Sequence, residues 1–170
     1  LSYSESKVQT ELDLVESSKN YIVLRLATVC GYSTDTMRIN IMPNLFSKIA
    51  SQKGTIKLFS GGVQLKSLVP LLDVVRCMKF MAEKTDINRE IFHLSKESMT
   101  VKEVSEICKK FSPELNLIET DDEIPNLGYT ISNEKLLNTG FEFRHTVEEC
   151  IKEMVQSWSE KKINPDLEYI

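Results

Sequence analysis

Apolar residues along this chain fall into two patterns: short runs rich in β-branched residues, and longer stretches in which they recur three or four positions apart. The short runs predict strands at Tyr21–Ala27, Thr55–Phe59, Val63–Val69, Glu90–Leu94 and Leu115–Glu119. The longer stretches predict helices at Tyr3–Ser18, Met37–Gln52, Pro70–Lys84 and Val101–Phe111, and a last helix after Thr146. Because strands and helices alternate, the pattern predicts an α/β fold.

Several helix ends are marked by local signals. The segments Thr100–Glu103 and Thr146–Glu149 have the form of capping boxes, which open helices at the next residue. Pro43 fits best in the first turn of its helix, where a missing N–H costs least. Ser132 is predicted to cap a short helix that ends at Gly140.

The segment Ser60–Gly62 connects two of the predicted strands and has the composition of a turn. We therefore predict that Thr55–Phe59 and Val63–Val69 pair as a hairpin. A phosphate-binding loop is the alternative interpretation of the two glycines, but paired glycines are far more common in turns.

Composition excludes several classes of protein. A net charge of −4 without a stripe of Lys and Arg argues against binding to nucleic acid. No apolar run approaches the ~18 residues that a membrane-spanning helix needs. The acidic loop Thr120–Gly128 contains neither His nor Cys, so we interpret it as solvated rather than as a metal site. No metal site is predicted elsewhere, because the chain has two histidines and its cysteines are widely spaced. The spacing of the cysteines also predicts a reducing, cytoplasmic setting. These cysteines are Cys30, Cys77, Cys108 and Cys150.

Candidate chemistry lies in the first predicted helix. Tyr3 and Lys7 are four residues apart, so their side chains lie on one face of that helix, one turn from each other. A phenol is a poor base at neutral pH, but an adjacent ammonium group favours the phenolate and lowers the pKa of the phenol. The pair is therefore a candidate acid/base. The alternative is an ordinary amphipathic helix with a half-buried tyrosine.

Three blocks then follow in one order: Tyr3-x-x-x-Lys7, Leu24–Gly31 (Leu-Arg-Leu-Ala-Thr-Val-Cys-Gly) and Phe59–Val74, which contains Gly-Gly and ends in Asp-Val. Together they resemble the extended short-chain dehydrogenase/reductase family, the NAD-dependent epimerase/dehydratases that act on nucleotide sugars. The family pattern has a Tyr-x-x-x-Lys helix, a Leu-Arg-x-x-Asn-Val-Tyr-Gly-Pro strand, a Gly-x-Gly turn, an Arg-Asp-Phe-Val strand and an Asp-Val that opens a helix. The resemblance covers residues 1–158.

The resemblance implies a role for each matching residue. Tyr3 would be the catalytic acid/base, and Lys7 would hold the nicotinamide ribose of NAD or NADP while lowering the pKa of Tyr3. Two further sets are implied. The cofactor would contact Tyr3, Lys7, Ala27, Thr28, Val29 and Cys30; the substrate, a nucleotide sugar, would contact Thr28, Tyr32, Arg38 and Lys66.

The resemblance also implies an architecture: the C-terminal part of an NAD(P)-binding Rossmann-fold epimerase with its smaller α/β substrate-binding lobe. Residues 1–36 would end the Rossmann domain. Residues 37–160 would mainly form the lobe, with one strand and helix returning to the Rossmann part, and 161–170 a tail. Family members open with a Gly-x-x-Gly-x-x-Gly turn for the cofactor pyrophosphate, which these 170 residues do not contain. We therefore expect a C-terminal half that is inactive alone and that forms a homodimer through the Tyr3–Ser18 helix.

Departures from the family pattern concern the substrate. Lys66 and Ser67 replace Arg-Asp, so the positive charge stays but the bidentate guanidinium fork is lost. Thr28, Cys30 and Tyr32 replace Asn, Tyr and Pro. We predict that Lys66 and Arg38 face the anionic group of the substrate. The competing hypothesis is a non-catalytic substrate-binding or interaction domain derived from the same family.

Overall fold

The computed structural model describes residues 2–165, and within that range six helices alternate with seven strands. The helices are α1 (Ser2–Glu16), α2 (Met42–Ser51), α3 (Leu71–Glu83), α4 (Val101–Phe111), α5 (Glu134–Leu137) and α6 (Val147–Ser159). The strands are β1 (Ile22–Leu26), β2 (Thr28–Cys30), β3 (Thr55–Phe59), β4 (Leu65–Pro70), β5 (Glu90–Leu94), β6 (Glu97–Thr100) and β7 (Asn116–Thr120). The predicted α/β fold is confirmed. None of the helices within residues 2–165 is long and apolar enough to cross a membrane.

Strand pairing is mostly parallel. β1 pairs with β5, β2 with β4, and β3 with β7, all in parallel, while β6 pairs antiparallel with the other side of β4. The predicted hairpin between β3 and β4 is wrong. Ser60–Gly62 forms a single 3-10 turn, and the two strands that it separates enter different sheets. Each strand finds a partner that is distant in sequence, which a turn signal between neighbours cannot reveal.

Two groups of buried apolar side chains lie behind these sheets. One joins α2, α4 and α6 to β3, with fully buried members at Ile39, Ile56, Leu58, Val104, Leu115, Ile151 and Met154. The other joins α3 to β1 and β5: Ala27, Val69, Val74, Cys77, Met81, Phe92, Leu94, Leu136 and Phe141. β4 contributes to both groups, since Leu68 belongs to the first and Val69 to the second. In β2, Cys30 belongs to the first group and Val29 packs against the second. The end of β2 therefore lies where the two groups meet.

Several details differ from the sequence prediction, among them the start of α2, which lies at Met42 rather than at Met37. The short strand β6 was not predicted. The residue at the N-cap of α5 is Asn133 rather than Ser132, whose Oγ accepts a 3.4 Å hydrogen bond from the backbone N–H of Glu134. The start of the predicted tail packs against the rest of the chain, because Ile163 is buried and the Asn164 N–H donates to the Thr34 carbonyl at 3.0 Å. Residues 166–170 of that tail lie outside the described residues.

Candidate functional site

The candidate acid/base pair lies near the start of α1. Tyr3 is 71% exposed, and Nζ of Lys7 lies 5.4 Å from the centroid of the Tyr3 ring. An ammonium group at that distance is attracted by the electron-rich face of a phenol. The i, i+4 spacing predicted from the sequence therefore places the two side chains in contact on one side of the helix.

Polar contacts attach α1 to the sheet, since α1 contains no buried residue. The Arg25 guanidinium on β1 donates from Nε to Oε1 of Glu11 at 3.0 Å and from Nη2 to Oε2 at 2.6 Å. The pKa of Glu11 is lowered, first because it accepts these hydrogen bonds from Arg25. At the other end, Arg89 donates to the carbonyls of Val15 and Ser17, both at 2.6 Å, and so satisfies the C-terminus of the helix.

A cavity of about 580 Å³ brings most of the predicted site residues together; we call it the first cavity. Its lining is Tyr3, Leu26, Ala27, Thr28, Val29, Arg38, Asn40, Ile41, Met42 and Lys66. These residues come from α1, the junction of β1 with β2, the segment before α2, and β4. A volume of this size is typical of small-molecule sites. The predicted residues in this lining are Tyr3, Ala27, Thr28, Val29, Arg38 and Lys66.

The floor of the first cavity is the chain between β1 and β2. The Ala27 N–H donates to the Leu94 carbonyl at 3.0 Å, and Thr28 pairs with Leu68 of β4. Gly31 then lets the chain pass α3, because a Cβ atom there would lie only 2.7 Å from Cβ of Leu71. The floor is thus fixed by backbone contacts on both sides.

Two cations line the first cavity, and they come from separate segments of the chain. Lys66 stands on β4, and Arg38 stands in the segment before α2, where its Nε donates to Oδ1 of Asn40 at 2.8 Å. The buried Asn44 fixes that segment, since its Nδ2 donates to the Arg38 carbonyl at 3.0 Å and its Oδ1 accepts from the Gly31 N–H at 3.5 Å. The described lining includes no carboxylate, so the cavity is positively charged.

Three predicted site residues do not line the first cavity. Lys7 lies one turn behind Tyr3 and contacts its ring. The Cys30 side chain is 0% exposed, and its pKa is raised by a hydrogen bond with Cys150 and by burial. Tyr32 packs against the group of buried residues around α2, α4 and α6. A contact between Cys30 and a cofactor would therefore involve its backbone rather than its thiol.

A second cavity, of about 420 Å³, shares the floor residues Leu26, Ala27 and Thr28 with the first, and Lys66 stands in both. Its remaining lining is Gln64, Leu65, Ser67, Asn126, Gly128, Tyr129 and Ile131. This wall was missed from the sequence, because the composition of Thr120–Gly128 is that of a solvated acidic loop. One signal in the sequence could have indicated this wall: Asn126 is followed closely by Gly128 and the aromatic Tyr129.

A family model described as the NAD-dependent epimerase/dehydratase family matches residues 2–94, which is more than half of the chain. The match includes Tyr3, Lys7, the floor residues and Lys66. It ends with β5.

Solved structures resemble most of the chain. The UDP-glucose 4-epimerase of Thermotoga maritima, solved with UDP-glucose, has a TM-score of 0.79 at 21% identity and covers 94% of this chain. The UDP-glucose 4-epimerase of Thermus thermophilus, in complex with NAD, has a TM-score of 0.75 at 16% identity and 92% coverage. RMD from Pseudomonas aeruginosa, complexed with NADPH, has a TM-score of 0.77 at 13% identity and 94% coverage.

In each case this chain spans about half the length of the solved protein, 53%, 52% and 56% respectively. At these identities the likeness concerns the fold. The sheets and helices described above are therefore those of the matching half of such proteins.

Proposed function

This chain belongs to the NAD-dependent epimerase/dehydratase family, and we propose that it supplies the acid/base and the substrate-binding half of an enzyme that acts on nucleotide sugars. The reaction is an epimerisation, dehydration or reduction that begins with hydride transfer at a sugar carbon. The observation that carries this proposal is the meeting of Tyr3, Thr28, Arg38 and Lys66 around one cavity.

The residues at this site fit the nicotinamide riboside end of NAD or NADP. Lys7 offers a donor one turn behind Tyr3, where it would hold the ribose hydroxyls, and the backbone of Ala27–Val29 forms the adjoining floor. The dinucleotide, when bound, supplies hydride acceptance and donation. The 170 residues contain no glycine-rich turn for the pyrophosphate, so those contacts come from residues other than these, and the chain alone is inactive in our proposal.

Tyr3 moves the proton in this mechanism. As a phenolate, its oxygen would take up the proton of the reacting sugar hydroxyl and would give that proton back in the reverse step. The Lys7 ammonium group lies against the Tyr3 ring, one turn along the same helix. Thr28 lines the same cavity as Tyr3 and would provide a hydroxyl that orients the sugar.

We assign the binding of the charged part of the substrate to Lys66 and Arg38. A sugar nucleotide carries a diphosphate, and two cations in a cavity without a described carboxylate suit such an anion. Arg38 offers a planar guanidinium that can bind two oxygens, whereas Lys66 offers a point charge. The pair should therefore bind a diphosphate more weakly than two arginines would.

We also assign a self-association role to α1. Val8, Leu12 and Val15 are exposed at i, i+4 and i+7, about a third of a turn away from the face that carries Tyr3 and Lys7. An exposed apolar stripe of this kind suits a helix–helix interface with a second copy. Light scattering of the intact enzyme tests this: Leu12→Asp should shift a dimer towards monomer, and a wild-type monomer would contradict it.

Turnover of UDP-glucose by the intact enzyme with its dinucleotide tests the main proposal. Tyr3→Phe should lower kcat by about 10²–10⁴-fold, because the proton acceptor is lost while the ring remains. Glu16→Gln, an exposed change in α1 outside both the Tyr3–Lys7 face and the apolar stripe, is the control and should keep normal turnover. If wild-type protein binds UDP-glucose but turns over no sugar nucleotide, the chain is a non-catalytic binding domain of this family instead.

A further inference from the structure

The chain after α6 turns back onto the fold instead of leading away from it. It reverses in a Schellman motif, in which the Lys161 N–H donates to the Trp158 carbonyl at 3.1 Å and the Lys162 N–H donates to the Ser157 carbonyl at 2.9 Å. Lys161 has a φ of +55°, a conformation that residues other than glycine rarely adopt. Such a conformation persists where surrounding contacts hold it in place.

Two contacts hold this reversal; we call residues 161–165 the C-terminal strap. Ile163 is 2% exposed and belongs to the group of buried residues around α2, α4 and α6. The backbone N–H of Asn164 donates to the Thr34 carbonyl at 3.0 Å. The C-terminal strap therefore enters the core with one residue and binds the loop after β2 with the next.

The loop that the C-terminal strap binds carries Arg38. The chain between β2 and α2, all of which the structure describes, contains neither a helix nor a strand, so its conformation depends on contacts with the rest of the protein. Met37 and Ile39 are buried in the same group as Ile163, and Arg38 between them lines the first cavity. Ile163 thus shares one packed group with both neighbours of this cation.

Resting on the proposed function, we infer that Ile163 is a positioning residue for Arg38: through the C-terminal strap it holds the loop at Thr34 and keeps the Arg38 guanidinium in the first cavity for the diphosphate. Asn44 fixes the same loop from the side of α2, and the strap fixes it from the side of β2. Ile163 is absent from the described lining of both cavities, so it acts through Arg38 and not by contact with the substrate.

Calorimetric titration of UDP into the intact enzyme with its dinucleotide tests this inference. Ile163→Ala should weaken UDP binding by about two- to tenfold, because binding would then have to order the loop. In the Arg38→Met background the same substitution should have almost no further effect, since the side chain through which the strap acts is already removed. Ile163→Val keeps a branched apolar side chain and should bind UDP nearly as well as wild type.

Leu115→Ala is the matched control. Leu115 is 1% exposed in the same buried group as Ile163, but it lies between α4 and β7 and is absent from the described lining of both cavities. The variant creates a void in that group while the strap keeps its contacts, so UDP binding should be unchanged. Hydrogen exchange of residues 33–41, followed by mass spectrometry, should be faster in Ile163→Ala than in Leu115→Ala.

The outcomes separate the two proposals. If Ile163→Ala leaves UDP binding unchanged, or weakens it as much in the Arg38→Met background as in wild type, the positioning role is overturned and the proposed function stands. Equal weakening by Leu115→Ala also overturns it, because any void in the buried group would then have the same effect. A wild-type enzyme that binds no UDP overturns both proposals.

A second pair of variants keeps the test decisive should Ile163→Ala fail to fold, which circular dichroism shows. Asn164→Pro removes the N–H that donates to the Thr34 carbonyl, whereas Asn164→Ala keeps it and removes only the side chain. Asn164→Pro should therefore bind UDP more weakly than Asn164→Ala does. Equal affinities of the two variants for UDP would contradict the role of the C-terminal strap.

Discussion

Oδ2 of Asp73 accepts a 2.9 Å hydrogen bond from the backbone N–H of His145, which ties the first turn of α3 to the segment that leads into α6. The Asp73 side chain is fully buried, and its other oxygen accepts from the Arg144 N–H at 3.0 Å and from Nη1 of Arg76 at 2.5 Å. This one carboxylate thus joins the two groups of buried residues between which the end of β2 lies.

Replacing Asp73 should therefore be costly. Asp73→Ala removes the acceptor of the Arg144 and His145 N–H groups, while Arg76 keeps only the Glu142 carbonyl, so we expect the free energy of unfolding to fall by about 2–4 kcal/mol. Urea denaturation measures this. Glu83→Gln, an exposed change on the same helix, is the control and should cost little. A loss below that of the control would show that the carboxylate is not the tie between the two groups.

Local signals in the sequence were sufficient for much of the fold. The capping boxes at Thr100 and Thr146 are both formed, with reciprocal bonds to Glu103 and Glu149, and α4 and α6 begin at the next residue in each case. Both partners of a capping box lie three residues apart in the chain, so the interaction can be predicted from a short segment of sequence. The spacing of Tyr3 and Lys7 is local in the same sense.

Contacts between distant segments could not be predicted in this way. The partner of β3 is β7 rather than the neighbouring β4, because parallel pairing needs a crossover that no local pattern specifies. Tyr129 lines the second cavity next to Gly128, which approaches Leu65 closely although the two residues are far apart in the chain. Cys30 aligned with a site position of the family, yet its burial against the core depends on the surrounding elements.

The ion pair between Arg25 and Glu11 predicts a dependence on pH. Because the pKa of Glu11 is lowered in the folded protein, the pair stabilises the fold above the ordinary carboxyl pKa, and that contribution is lost as the pH falls through the lowered value. Wild type should therefore be more stable than Arg25→Ala at pH 7, with the difference vanishing in acid. Lys19→Ala removes an exposed cation and is the control. A difference that persists at a pH where Glu11 is protonated would contradict the role of the pair.

Dinucleotide binding to these 170 residues should be negligible. Lys7 and the floor offer contacts to the nicotinamide ribose, but the sequence contains no glycine-rich turn to hold the pyrophosphate. Calorimetry with NAD, NADH, NADP and NADPH on the 170-residue chain measures this. Micromolar affinity for any of them would overturn the assignment of the pyrophosphate contacts to other residues, and Lys7→Met would then show whether the ribose contact is responsible.

The two cations of the first cavity give the last prediction. If Lys66 and Arg38 hold the diphosphate, Lys66→Met and Arg38→Met should each weaken the binding of UDP by roughly tenfold, since a hydrogen bond to a charged group contributes about 1.5–3 kcal/mol and solvent screens part of it. Lys57→Met is the matched control, because Lys57 is an exposed cation on β3 outside both cavities.

A salt series sharpens the same experiment. The affinity of wild type for UDP should fall as the salt concentration rises, and the affinity of the double variant should fall less steeply, because fewer charges take part. Uridine carries no phosphate, so its binding should respond to neither substitution. If Lys66→Met and Arg38→Met bind UDP as well as Lys57→Met does, the cations are solvated surface charges, and a substrate without a nucleotide becomes the better assignment for this cavity.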